Sequence, residues 1–200
     1  MLSLNHFPRA NRIVDTPQTI DFSLTEKPGL LRLYGGPYSL SSPTCPTLFL
    51  RKQSTRSVTW ETKLTFTPKS PRTEAGTVIW WNYLNNSSIG IRMSHSNNSQ
   101  RILRFRSSVG EELSTPLESL TSDVKLFVEC GDMYKLGYIE MLDDKPEENC
   151  IKWLGRVEND VMIADPKIGA PFTGTLLGLY AFGELEGCLT PADFHYAEFR

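Results

Sequence analysis

The stretch Val58-Thr59-Trp60-Glu61-Thr62-Lys63-Leu64-Thr65-Phe66 decides the fold class. Val58, Trp60, Thr62, Leu64 and Phe66 fall on one side of an extended chain, and Thr59, Glu61, Lys63 and Thr65 fall on the other. That period of two belongs to a half-buried β-strand whose apolar face points to the core. Working outward, β-branched and aromatic runs separated by Gly, Pro, Asn and Ser clusters predict further strands. They fall at 30–34, 47–53, 76–83, 89–94, 102–106, 124–130, 136–141, 151–154, 176–182 and 194–199, with 57–67 as the full extent of the first. Helical periodicity is scarce.

Local signals refine the pattern. Gly131-Asp132 between two apolar runs predicts a hairpin joining 124–130 to the strand after it. The charged, proline-containing segment 143–149 suits a solvated loop, and Ser114-Thr115-Pro116 allows a short helical turn over 113–120. No domain boundary, internal repeat or low-complexity tract interrupts residues 1–200, so one domain is expected. Ten or eleven short strands in such a length must hide their edges in stacked or closed sheets. The predicted fold is all-β, a two-sheet antiparallel β-sandwich of the jelly-roll kind, with a barrel as the alternative.

Composition removes several functions. The chain has 200 residues, 40% hydrophobic and 22% charged, which suits one domain with a two-layer core. With 21 basic and 23 acidic residues the net charge is −2, so nucleic acid and anionic lipid are not expected partners. No apolar run approaches the roughly 18 residues of a membrane helix, and no membrane partner is expected. The first residues lack the basic and apolar regions of a signal peptide, which leaves an intracellular protein or a piece of a longer chain. Cys45, Cys130, Cys150 and Cys188 lie far apart without a C-x-x-C pair, which suits core residues or at most one bridge. His6, His95 and His195 show no metal-ligand spacing. The N-x-[ST] triplets at Asn85, Asn86 and Asn97 matter only on a secretory route. There is no nucleophile elbow, phosphate loop or dinucleotide fingerprint. Paired carboxylates on one strand face, as in an E-x-D-x-E run, are also missing. Glu184-Leu185-Glu186 comes nearest, but Gly183 and Gly187 flank it and predict a turn.

A family resemblance rests on an ordered set of fragments. Pro28-Gly29-Leu30-Leu31-Arg32-Leu33-Tyr34-Gly35-Gly36 is followed by Leu50-Arg51-Lys52-Gln53, Glu61-Thr62-Lys63-Leu64-Thr65-Phe66-Thr67-Pro68 and Glu74-Ala75-Gly76-Thr77. Phe172-Thr173-Gly174, Gly178-Leu179-Tyr180-Ala181 and Pro191-Ala192-Asp193-Phe194 complete it. Together they resemble the C-terminal concanavalin A-like domain that follows the catalytic propeller in family 43 glycoside hydrolases, the β-xylosidase and arabinofuranosidase group. The resemblance implies a lectin and glucanase type sandwich, classed in some members as xylan-binding, with the catalytic carboxylates on a propeller outside this chain. It also implies a loop after the Arg51-Lys52-Gln53 strand that carries an aromatic ring to the enzyme's pocket. Here Ser54-Thr55-Arg56 stands there instead.

Sugars have an apolar C–H face and hydrated hydroxyls, so their sites combine aromatic faces with planar polar groups. Trp81 and Tyr83 share one face of the 76–83 strand, with Arg51, Gln53 and Glu61 as the polar candidates beside them. Core packing of the aromatics and a cross-strand Arg51–Glu61 pair are the structural alternatives. Trp60 is in phase with the core, and Trp153 suits either role. Related sandwiches often hold a structural calcium, for which Asp193 and Asp21 are the candidates, against a plain turn aspartate. No other cofactor is required. The expected function is a non-catalytic accessory or carbohydrate-binding sandwich whose partners are a polysaccharide or oligosaccharide and a family 43 propeller. Two alternatives stand: part of a complete glycosidase that shapes its active-site rim, and a protein-interaction sandwich without sugar binding.

Overall fold

A computed structural model describes residues 21–44, 46–97, 99–142, 150–159 and 174–200. Among them are thirteen strands: β1 Phe22–Ser23, β2 Leu31–Gly35, β3 Thr47–Lys52, β4 Val58–Thr65, β5 Thr73–Trp80, β6 Asn86–Met93 and β7 Arg101–Arg106. They continue with β8 Glu112–Pro116, β9 Val124–Cys130, β10 Met133–Glu140, β11 Lys152–Glu158, β12 Leu176–Gly183 and β13 Cys188–Phe199. Every strand pair is antiparallel. One sheet runs β1-β2-β13-β4-β9-β10-β11 and the other β3-β12-β5-β6-β7-β8. The chain is therefore the two-sheet antiparallel sandwich that its alternation requires.

The core lies between the sheets. Trp60 and Leu64 of β4 meet Ala75 and Ile79 of β5, Ile89 and Ile91 of β6, and Leu177 and Leu179 of β12. Trp60 is the widest group in that layer, and its Phe199 neighbour packs edge-on with ring centroids 5.0 Å apart. A buried indole N–H needs an acceptor. Here Trp60 Nε1 donates to Thr77 Oγ1 at 2.8 Å, and that hydroxyl donates to the Gly178 carbonyl at 2.7 Å.

Three expectations change. The strand expected at 76–83 is β5, Thr73–Trp80, because Asn82 ends it: its Oδ1 accepts the backbone N–H groups of Leu84 and Asn85, both at 2.8 Å. The helical turn expected over 113–120 is β8, whose backbone continues the ladder from Arg106↔Glu112 to Ile102↔Pro116. Pairing with β7 overrides a weak local helix signal there. The last strand begins earlier, at Cys188, with register shifts that a simple period does not announce. The two-residue β1 gave too little sequence to register. The β9–β10 hairpin and the turn after β12 fall where expected, and Leu185 there has a φ of 66°. Segment 143–149, His6 and Cys45 lie outside the described residues. Cys130, Cys150 and Cys188 are free thiols, and burial pushes that of Cys130 up to about 12.

Long-range polar ties hold the ends of the sandwich. Arg101, fully buried at the start of β7, donates to the carbonyls of Phe66, Ser119 and Ser122 at 2.8 to 2.9 Å, joining the strand ends of both sheets. Asp193 on β13 accepts a two-pronged bond from Arg32 at 2.7 and 3.0 Å and a further one from Lys27 at 3.1 Å. Burial raises its carboxyl pKa, but these cations outweigh it and hold it below the usual range. Asp123 is lowered in the same way by Lys63 and Thr65 against its own desolvation, while His195 beside them is lowered by burial and by Lys63.

Two outcomes follow. A Cβ on Gly90 would sit 2.2 Å from the Tyr180 hydroxyl and 2.9 Å from the Ala75 carbonyl. Gly90→Ala is expected to cost about 1–3 kcal/mol in urea unfolding, while Gly187→Ala, with open space around it, stays within about 0.5 kcal/mol. The second concerns acid. His195 and the two aspartates all have folded pKa values below their unfolded ones, so the unfolded chain binds more protons and stability falls as pH falls. Urea midpoints should drop first below about pH 6.5, from His195, and again below about pH 4, from the carboxylates. His195→Gln should flatten the first step and Asp193→Asn the second.

Candidate functional site

The outer face of the six-stranded sheet carries a polar arrangement that strand alternation places there. On β5 the outward positions are Glu74, Gly76, Val78 and Trp80, which pair with Arg92, Gly90, Ser88 and Asn86 of β6. β7 adds Arg104 beside Gly90 and Arg106 beside Ser88, and β12 adds Tyr180 beside Gly76. Two glycines side by side leave a floor without side chains, and the Tyr180 phenol lies across it against Gly90. Its hydroxyl donates to Glu74 Oε1 at 2.6 Å.

Glu74 is 1% exposed and sits between two guanidinium groups. Its Oε2 is 2.7 Å from Arg104 Nη2 and 3.6 Å from Arg92 Nη1. Arg92 reaches on to Glu184 at 3.8 Å and to His95 Nε2 at 2.9 Å, and Arg104 to Glu112 at 3.4 Å. Burial lowers the Arg104 pKa, but Glu74 outweighs it and the net shift is upward. Tyr180 is raised well above its ordinary value, first by burial and then by Glu74. Charges this enclosed persist only as a matched set.

A strap of the chain closes the apolar half of this face. From Gly36, whose carbonyl accepts the Gly183 N–H at 2.8 Å, it crosses to Leu40, whose carbonyl accepts Asn86 Nδ2 at 3.2 Å. Ser41 then accepts a bond from Arg106. Leu40 is buried with Leu48, Leu50, Val78, Trp80, Tyr180 and Phe182 in a second apolar cluster. Of the three glycosylation triplets, Asn85 and Asn86 are thereby buried, and only Asn97 is exposed.

The residues expected to bind sugar do not share one surface. Trp81 and Tyr83 lie in the loop between β5 and β6, with Trp81 half-buried and Tyr83 38% exposed. Arg51, on β3, places its guanidinium 4.8 Å from the Phe199 ring centroid. Gln53 donates to the Thr55 and Arg56 carbonyls at 2.8 and 3.3 Å and accepts from Tyr134 at 2.8 Å. It thereby braces the Ser54-Thr55-Arg56 loop, whose Arg56 pairs with Asp132 at 2.8 Å on the surface. Glu61 belongs to the other sheet, where it accepts from Tyr196 at 2.5 Å and pairs with Arg200 at 2.9 Å. Arg51 and Glu61 thus make separate contacts rather than the cross-strand pair.

The calcium candidates meet a chemical test. Calcium needs several oxygen ligands free of competing cations. Both oxygens of Asp193 are taken by Arg32 and Lys27, and Asp21 offers its backbone carbonyl to Tyr34 at 2.9 Å. No group of three metal-ligating side chains occurs among the described residues. With both carboxylate oxygens held by cations, Asp193 does not fit the ion.

Sequence reading missed Glu74, Arg92, Arg104 and Tyr180 as a set. The available signal was Arg101-Ile102-Leu103-Arg104-Phe105-Arg106, a strand whose arginines recur inside an apolar alternation. Charges there need partners across the sheet.

The comparisons with known proteins agree with this architecture. The model of the "Beta xylosidase C-terminal Concanavalin A-like domain" family matches residues 12–200. A non-reducing end alpha-L-arabinofuranosidase of Bacteroides ovatus is 27% identical over 187 residues, covering 90% of this chain and 32% of that protein. The solved Bacteroides ovatus xyloglucan PUL GH43B structure superposes with a TM-score of 0.79 at 26% identity, over 98% of this chain and 38% of that one. A xylan beta-1,4-xylosidase from Bacillus halodurans shares the fold, with a TM-score of 0.74 at 24% identity over 92% and 35%. The chain spans about a third of the length of these relatives. A match over residues 12–200, laid on the sheet pairing described above, makes this chain a member of the β-xylosidase C-terminal concanavalin A-like domain family.

Proposed function

We propose that this chain is the accessory sandwich of a family 43 glycoside hydrolase, packing on a catalytic propeller and contributing no catalytic carboxylate itself. The observation that carries this reading is the family match to a C-terminal domain, in a chain that spans about a third of its relatives. The carboxylates support it. A glycosidase acid must keep its proton near neutral pH, so its pKa is raised. Asp123 and Asp193 are shifted the opposite way, and Glu61 and Glu74 are engaged by Tyr196, Tyr180 and arginines.

A second reading adds contact with the polysaccharide. Tyr83 and Leu84 stand exposed at the tip of the β5–β6 loop with Trp81 beside them, and Asn82 fixes the loop's shape. An aromatic held rigidly at a loop tip is suited to stack on a sugar ring.

The chain alone should show no turnover of 4-nitrophenyl arabinofuranoside or xyloside. Added to a family 43 propeller lacking its own sandwich, it should form a complex by gel filtration and raise the propeller's unfolding temperature. Turnover by the chain alone that vanishes in Glu74→Gln would overturn the first reading. For the second, Trp81→Ala and Tyr83→Ala should each lower apparent affinity about tenfold in xylan-containing native gels. Unchanged mobility shifts in both variants would remove it.

A further inference from the structure

Three N-x-[ST] triplets begin at Asn85, Asn86 and Asn97, and the fold separates them sharply. Asn85 and Asn86 are 4% and 2% exposed. The Asn86 amide nitrogen is shared among the carbonyls of Leu40, Asn82 and Tyr83 at 3.2, 3.1 and 3.2 Å, and its oxygen accepts from Arg106 at 2.8 Å. The Asn85 carbonyl accepts the backbone N–H groups of Trp81 and Asn82. A sugar on either amide would displace the strap that closes this face.

Asn97 stands in the opposite situation. It is exposed in the connection between β6 and β7, Ser94-His95-Ser96-Asn97-Asn98-Ser99-Gln100, which holds no carboxylate, lysine, arginine or apolar side chain. The base of that connection is closed. Ser94 N–H donates to the Gln100 carbonyl at 2.8 Å, and His95 Nε2 lies 2.9 Å from Arg92 Nη2. At the tip, Asn97 Oδ1 accepts the Ser99 N–H and the Asn97 carbonyl accepts the Gln100 N–H, both at 3.0 Å. A plain polar turn accounts for the side-chain oxygen, and aspartate would serve it equally. It does not account for the amide nitrogen, which has no acceptor among the described residues, nor for an exposed hydroxyl two positions on, at Ser99. Those two groups, with a residue other than proline between them, are what an oligosaccharyl transferase reads.

We infer that Asn97 is the N-glycan acceptor of this chain on a secretory route, and that Asn85 and Asn86 are not. The donor is an oligosaccharide on a polyprenyl diphosphate. Asn97 Nδ2 bonds to C1 of the first sugar, the C1–O bond to the diphosphate breaks, and its electron pair leaves with the diphosphate. The amide proton passes to a base of the transferase. Because β6 runs from Asn86 to Met93, the glycan stands about 24 Å along the strand from the β5–β6 loop. A bulky, hydrated oligosaccharide there keeps the β6–β7 end of the sandwich in solvent.

The test sends the full chain through the secretory route of yeast behind a cleavable leader. Protein from the medium and from the lumenal fraction is digested with endoglycosidase H, and its glycopeptides are read by mass spectrometry. One glycan is expected, on the peptide holding Asn97. It should disappear in Asn97→Gln with the unfolding temperature unchanged, and also in Ser99→Ala, which leaves Asn97 itself in place. Asn86→Gln should keep the glycan and lower the unfolding temperature. An unglycosylated wild type in the lumenal fraction overturns the inference, as does a glycan on Asn85 or Asn86 of the secreted protein. Unaltered occupancy in Ser99→Ala overturns it too. The accessory role stands apart from each of these results, because its own test is association with a propeller.

Discussion

The two sheets are joined inside the core by one short chain of hydrogen bonds, from the Trp60 indole to the Thr77 hydroxyl to the Gly178 carbonyl. Each net bond is worth only about 1 kcal/mol, but leaving a buried donor unmade costs about 1–3 kcal/mol. That asymmetry selects a register. A one-residue slip of β4 would send Trp60 to the outer face and bring Glu61 into the core, and a slip of β5 would remove Thr77 from its partner. With β4 and β5 fixed, β13 and β9 are set on one sheet and β12 and β6 on the other.

The same parity assigns the charges. Once Ala75, Thr77 and Ile79 face inward, Glu74 must face outward, and Arg92 and Arg104 follow from the ladder. The strap from Gly36 to Ser41 then covers the adjoining apolar half of that face. Removing one member of such an enclosed set leaves an uncompensated buried charge, so its members are kept together.

Much of the fold was legible in the sequence because a period of two is a direct image of a sheet with one buried face. In the run at 58–66, Trp60, Leu64 and Phe66 join the core as the alternation implies, although the strand ends at Thr65 and Glu61 on the opposite face is buried as well. β8 was not legible, since Glu112–Pro116 is almost wholly exposed and owes its form to backbone pairing with β7. The end of β5 was misplaced for a different reason: aromatic residues at 81 and 83 continue the pattern, and only the Asn82 turn stops it. Candidate site residues were harder still. Arg51, Gln53 and Glu61 are near neighbours of one another in no local pattern, and whether they converge depends on which sheet each strand joins. β3 and β4 join different sheets.

That division also explains where recognition surfaces can lie. The six-stranded sheet has its apolar outer half covered by the chain's own strap and its polar half knitted into ion pairs. The outward strand positions of that face are therefore closed, and exposed aromatics stand elsewhere, Tyr38 on the strap and two more at the margins. Tyr83 occupies a loop tip and Trp153 an edge strand, each fixed by local chemistry, an Asn82 turn in one case and a glycine with a bulge in the other. Neither position adjoins the bonds that hold the sheets together. Contacts at the rim can therefore vary while the Trp60 linkage keeps the scaffold unchanged.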